Sequence, residues 1–263
     1  MSLRSTALVL ATATAVVAIV QLSGSAVGAF PGNNGLIAFR SDRVPGGYEL
    51  WVVFPNGARV RKLTAPGWSP SWSPGGRRIA LVGYRRGGSE VFLVSASGRG
   101  LKRLTHNRVP DDSPTWSPDG KRILFVSAVR TNANEDLYKM RANGRGRKRL
   151  GATPLCESQP AWSSDGTKIA FLDACGNTPW PLYIMNPDGT GLQRLPTGGL
   201  GGPTWSPDSR QIALDDGLHI IVLNRDGSGI HTLTSGTEPA CRQTARKSPS
   251  PAWSPASADH GLR

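Results

Sequence analysis

One phrase recurs down this chain and narrows its possible folds. It reads PSWSPGGRRIAL from Pro70, PTWSPDGKRILF from Pro114, PAWSSDGTKIAF from Pro160 and PTWSPDSRQIAL from Pro203. A fifth copy starts as PAWSP at Pro251 and then breaks off. Its tryptophans, Trp72, Trp116, Trp162, Trp205 and Trp253, stand 44, 46, 43 and 48 residues apart. Self-similarity at that period marks a stacked or radial repeat, in which each unit buries its apolar surface against its neighbours.

The unit around Trp116 parses into strands. Pro114–Trp116 is a short strand that starts on a proline, and Ser117–Gly120 is a turn in which Pro presets φ and Gly supplies a positive φ. Arg122–Val126 (RILFV) is a buried strand and Asp136–Met140 (DLYKM) a third. Arg141–Gly146 contains Asn-Gly and closes a hairpin onto a short, charged fourth strand, Arg147–Leu150. The other units parse alike, with third strands ELWVV, EVFLV, LYIM and HIIVL. Four antiparallel strands per 40–50 residues is the pattern of a β-propeller blade. High glycine and proline, 32 and 21 residues, suits so many tight turns.

The chain ends complement each other. The first unit begins at its second strand, Asn33–Phe39, and the last contains only the Trp strand, Pro251–Trp253. The expected fold is therefore all-β, a five-bladed propeller of four-stranded antiparallel blades. The C-terminal strand completes the N-terminal blade and leaves no open sheet edge. The alternative is a truncated six-blade propeller. The propeller spans 30–255 and a tail follows at 256–263.

These repeats resemble the TolB-type propeller family, whose WD40-like repeat has the core W-S-P-D-G-x-x-I-A-F. The copies at Trp116 and Trp162 match it closely, while those at Trp72 and Trp205 lose the Asp or the Gly. Leu-Thr pairs at Leu63-Thr64, Leu104-Thr105 and Leu233-Thr234 are a further family habit. The resemblance covers nearly the whole chain after the leader. It implies the fold strongly and the function weakly, because propellers host many unrelated activities.

Residues 1–29 read as a secretory signal. Arg4 precedes an uncharged apolar stretch, Ala7–Val20, and small residues up to Ala29. An uncleaved anchor is the alternative, and is the only membrane attachment the sequence suggests. The expected location is secreted or cell-envelope. Three cysteines fit an oxidising compartment. Cys156 enters the first strand of its unit and Cys175 leaves the second, so antiparallel pairing brings them together as a disulfide. Cys241 is left over.

Chemistry is less legible. The net charge is +13, which favours anionic partners, but no interleaving of aromatic and basic residues marks a nucleic-acid platform. Two faces are expected. One carries the stereotyped turns and basic residues near the fourth strands: Arg59, Arg61, Lys62, Arg99, Lys102, Arg103, Arg145, Arg147, Lys148 and Arg149. Charged protection of an outer edge is the competing explanation. The other face carries longer loops and is the first choice for binding, with Arg43, Arg85, Arg86, Arg108, Asp111, Asp112, Arg130 and Asp173 as candidates. The five tryptophans are read as structural. No G-x-S-x-G elbow or metal-binding spacing occurs, and no cofactor is expected. His106 with Asp111 and Asp112 is the single cluster that an acid-base or metal site could use. The reading is a monomeric, non-catalytic module that binds a protein or an anionic envelope polymer. A propeller lyase or hydrolase is the alternative.

Overall fold

The computed structural model describes residues 35–236, apart from 45–46, 55–56, 87, 129–133 and 152. The expected leader at 1–29, the strand expected at Trp253 and the tail at 256–263 lie outside the described residues. The protein is an all-β, five-bladed propeller, with no helix among the described residues. The first blade holds β1 (Ile37–Val44), β2 (Gly47–Val53) and β3 (Arg61–Pro66). The second holds β4 (Trp68–Trp72), β5 (Arg78–Arg85), β6 (Gly88–Ser95) and β7 (Lys102–Arg103). The third holds β8 (Asp111–Trp116), β9 (Arg122–Ala128), β10 (Glu135–Arg141) and β11 (Lys148–Arg149). The fourth holds β12 (Glu157–Trp162), β13 (Ile169–Asp173), β14 (Trp180–Met185) and β15 (Gln193–Gly199). The fifth holds β16 (Thr204–Trp205), β17 (Gln211–Asp215), β18 (His219–Asn224) and β19 (His231–Ser235). Each sheet is ordered as in sequence, and the first has three described strands where the others have four. The expected fourth member of that sheet is the Trp253 strand.

The core lies between blades. Leu50, Val52 and Leu63 of the first blade pack on Ile79, Leu81, Phe92 and Val94 of the second. Ala80, Val91, Leu93 and Leu104 then meet Trp116, Ile123, Phe125 and Met140. Leu124, Val126, Leu137 and Leu150 meet Trp162, Ile169, Phe171 and Met185. Leu172, Leu182, Ile184 and Leu195 meet Trp205, Ile212, Leu214 and Leu223. Second strands such as RILFV are apolar on both sides because each side faces a different neighbour. Trp116, Trp162 and Trp205 are 2%, 8% and 5% exposed, whereas Trp72 is half-buried.

The repeated turns also join the blades. In Ser117–Gly120 the Gly120 amide donates to Ser117 O, and the Ser117 hydroxyl accepts from Arg122 N at 2.9 Å and donates to Asp119 at 2.6 Å. A Cβ on Gly120 would stand 3.7 Å from Pro74 in the preceding turn, and one on Gly166 3.8 Å from Pro118. At the last seam both partners change. Ser209 replaces the glycine, at φ 60°, and Ser164 replaces the proline beneath it. Ser209 Oγ accepts from Asp165 N at 2.9 Å, and Ser164 Oγ donates to the Ser206 carbonyl at 3.2 Å. The departure from WSPDG is thus a matched polar pair, which offsets the strain of a left-handed serine.

The inner strands are longer than the sequence suggests. β8 and β12 start three residues before their prolines, through bulges in which Ser113 and Gln159 both take φ 50°. A proline lacks the donor a ladder needs, and the bulge removes that demand. Asp111 and Asp112 therefore belong to a strand and not to a loop.

Trp116→Ala deletes a fully packed indole and is expected to cost about 3–5 kcal/mol, with Trp72→Ala costing less. Denaturant midpoints of the two variants check this order.

Candidate functional site

The loop face is formed by the hairpins between second and third strands and by the connections between blades. Most of its acids are consumed by structure. Near the start of the third strand, Glu49, Glu90 and Asp136 each meet a cation from the fourth strand: Lys62, Arg103 and, at 2.7 Å, Arg149. The cations expected to form a turn-face patch are thus partly turned to these carboxylates. Lys62, Arg103 and Arg149 are paired, and Arg147 lies flat on Tyr138, 4.2 Å from its centroid, while donating to Ser127 at 2.6 Å. Arg61 and Lys102 reach carbonyls of the next blade, at Ala96 and Asn143.

Each of the second and third seams buries a second carboxylate beside the first. Thr105 accepts from Val91 N at 2.9 Å and donates to Glu90 at 2.6 Å. Asp111 is completely buried, accepts from Asn107 at 2.8 Å and has Arg147 at 3.7 Å. Burial raises its pKa, against hydrogen bonds from Ser127, Thr105 and Asn107 and the charge of Arg147. Glu157 is its counterpart in the next blade. It accepts from Leu137 N at 2.6 Å, across the seam, and from Thr153 at 2.8 Å. Burial raises its pKa too, with Asp136 adding and Arg149 opposing. Their burial corrects the placement of Asp111 among accessible binding residues.

The remaining candidates divide. Asp112 is half-buried and accepts from Trp68 Nε1 at 3.0 Å and Ser69 at 3.3 Å, again across a seam. Glu135 sits close enough for Asp112 to raise its pKa further, after burial has done most of it. Arg85, Arg86 and Arg108 are exposed, with Arg85 5.5 Å over the Phe92 ring. Arg130 and the side chain of Arg43 lie outside what the structure describes. Asp173 accepts from the amides of Cys156 at 3.0 Å and Cys175 at 3.2 Å, clasping a Cys156–Cys175 disulfide with Cα atoms 4.9 Å apart. Cys156, Asp173 and Cys175 are the one triad of potential metal ligands among the described residues, and both sulfurs are in the disulfide. His106 is exposed, His219 bonds Asp216 at 3.4 Å, and His231 bonds the Gly229 carbonyl at 2.9 Å. His106 precedes the third blade, His219 and His231 stand on neighbouring strands of the fifth, and His260 lies outside the described residues.

Sequence reasoning missed the apolar groups on this face. Tyr84 and Leu218 are 73% and 72% exposed, and Leu200 is 37% exposed. Tyr84 stands beside Arg85 and Arg86 at the tip of the β5–β6 hairpin. Leu200 reaches the Gly217–Leu218 loop of the fifth blade. The signal was present in GYRRGG and DDGLH, where large apolar residues interrupt polar loops.

Comparison with known proteins fits this geometry. Residues 54–257 match the family model PD40, the TolB beta propeller domain, and the chain belongs to that family. A curated relative, the Tol-Pal system protein TolB of Syntrophus aciditrophicus, is 53% identical over 36 residues, 14% of this chain and 8% of its own length. TolB from Acinetobacter baumannii superposes with a TM-score of 0.67 at 19% identity, covering 78% of this chain and 54% of its own. The putative TolB from Agrobacterium tumefaciens gives 0.66 at 20% identity, covering 82% and 83%. The chain thus spans about half the length of the Acinetobacter protein.

Two outcomes follow. Asp111 and Glu157 hold protons in the folded state at pH values where the unfolded chain has released them. Their contribution is greatest in acid and declines as pH rises from the ordinary values of 3.8 and 4.5 to the raised folded ones. Glu157→Gln should therefore gain stability over the parent progressively across that window. Asp165 behaves oppositely: burial opposes ionisation, but bonds from Ser163, Thr167 and Arg225 hold its pKa to about 2. It is common to both proteins and cancels in the difference. Denaturant unfolding at stepped pH measures it. In the denatured chain, thiol titration should find one reactive cysteine before reduction and three after.

Proposed function

We propose that this propeller is an exported, non-catalytic module that binds a protein partner through its loop face. The observation that carries the reading is the exposure on this face of Tyr84 with Arg85 and Arg86 in the second blade, of Arg108 before the third, and of Leu200 and Leu218 at the fifth. Interface cores favour Tyr and Arg, and large apolar groups exposed together on one face mark contact sites. The acids that an enzyme would use are instead tied into seams: Glu90 to Arg103 and Thr105, Asp136 to Arg149, Glu157 to Leu137 N. Membership of the TolB beta propeller domain family, together with the reading of residues 1–29 as a secretory leader, supports a place in the cell envelope. An anionic envelope polymer would use the arginines without the apolar groups.

Site-specific photo-crosslinkers at residues 84 and 218 should capture one envelope protein that a crosslinker at Lys121, on the opposite face, does not. Against that partner, Tyr84→Ala with Leu218→Asp should weaken binding on the order of ten-fold or more with the melting temperature unchanged. Equal capture from both faces, or unaltered affinity in the double variant, contradicts the reading.

A further inference from the structure

The turn face holds an open cleft of about 420 Å³ between the second and third blades. Arg78, Lys121, Arg122 and Arg141 line it with Ala142 and Asn143. All four cations are exposed, and among the described residues no ion pair or hydrogen bond engages their side chains. The cleft's lining includes no carboxylate among the described residues. Asp119, in the adjoining turn, accepts from Ser117 Oγ at 2.6 Å and Lys121 N at 3.0 Å, and its pKa is lowered first by the Ser117 bond and then also by the charges of Lys121 and Arg122.

The register makes this concentration of charge unfavourable. Arg122 and Arg141 stand directly opposite each other on β9 and β10. Like charges at such a position repel. No other blade does this. The matching position pairs Arg78 with Ser95 in the second blade and Gln211 with Asn224 in the fifth. In the fourth, Lys168 Nζ donates to Asn186 at 2.7 Å. Lys139, nearby on β10, has its pKa lowered by burial first, and then by Arg122 and Lys148, against an opposing pull from Asp188. A local cost with no structural return is typical of a functional site.

We propose that this cleft binds a phosphate-bearing anion that brings two or more negative charges in all, on one group or on successive phosphates. Three arginines and a lysine line it, and guanidinium forks match phosphate oxygens two at a time. A single carboxylate would leave most of the repulsion uncompensated. The Asn143 side-chain amide can add a neutral donor, since its oxygen already accepts from Arg145 N at 3.0 Å. The phosphate can come from a small anion or from a phosphodiester polymer.

Inorganic pyrophosphate is the probe, titrated calorimetrically into the intact protein at low salt, with glycerol-phosphate polymer in a second arm and citrate as the carboxylate control. Pyrophosphate should bind, and Arg122→Ala or Arg141→Ala should each weaken it on the order of ten-fold. Arg210→Ala, at the position of Lys121 in the fifth blade, should change nothing. Polymer binding tighter than pyrophosphate, with the same dependence on Arg141, identifies the polymeric source. Citrate binding as tightly, equal loss in Arg210→Ala, or no binding at millimolar pyrophosphate overturns the proposal. Arg141→Ser, which copies the second blade's pairing, guards against misfolding. It should raise the ligand-free melting temperature and abolish the rise that pyrophosphate gives the parent. A lower melting temperature, or an undiminished response to pyrophosphate, counts against the site.

Discussion

Everything in this fold depends on the seams between blades. A four-stranded sheet with two apolar faces cannot be stable alone, and here neighbouring sheets cover each other's faces across the four described seams. The four described apolar clusters that span two blades join the second, third and fourth strands of one blade to the Trp, second and third strands of the next. The repeated phrase is therefore a joint as much as a turn. Its Trp fills the seam, and its Gly lets the turn lie against the proline of the turn before it.

The polar groups obey the same constraint. A carboxylate buried between sheets is costly unless it is paired and hydrogen-bonded. Glu90 is accordingly met by Arg103 and Thr105, Asp136 by Arg149, Asp111 by Asn107, and Glu157 by Thr153 and, across the seam, the Leu137 amide. Where the third-strand acid is absent, as at Pro181 in the fourth blade, Arg194 lines an open cleft with Pro179 and Pro196 instead. Charge that seems to belong to a surface is thus divided. Part of it locks blades together, and the rest is free to meet partners.

That division explains what could be read in advance. The blade count, strand order, turn chemistry and Cys156–Cys175 pairing follow from local pattern and period. The placement of Asp111 did not, because the bulge at Ser113 carries the strand past its proline, and only the neighbouring blade shows where the carboxylate goes. Nor did the pairing of Arg103 and Arg149 with acids, since a charged outer strand has the same sequence whether it faces water or a carboxylate. The Arg122–Arg141 pair needs the register of β9 on β10, which is a property of the hairpin and not of either strand. Tyr84 and Leu218 were visible as residues but not as exposed ones.

If stability resides in the seams, no blade should open alone. Native-state hydrogen exchange on peptides carrying β5, β9, β13 and β17 measures this directly. These second strands are buried on both faces, and the account predicts that they exchange together, with one opening free energy that matches global unfolding. Separate opening energies, blade by blade, would show that the sheets are stable on their own and would contradict it.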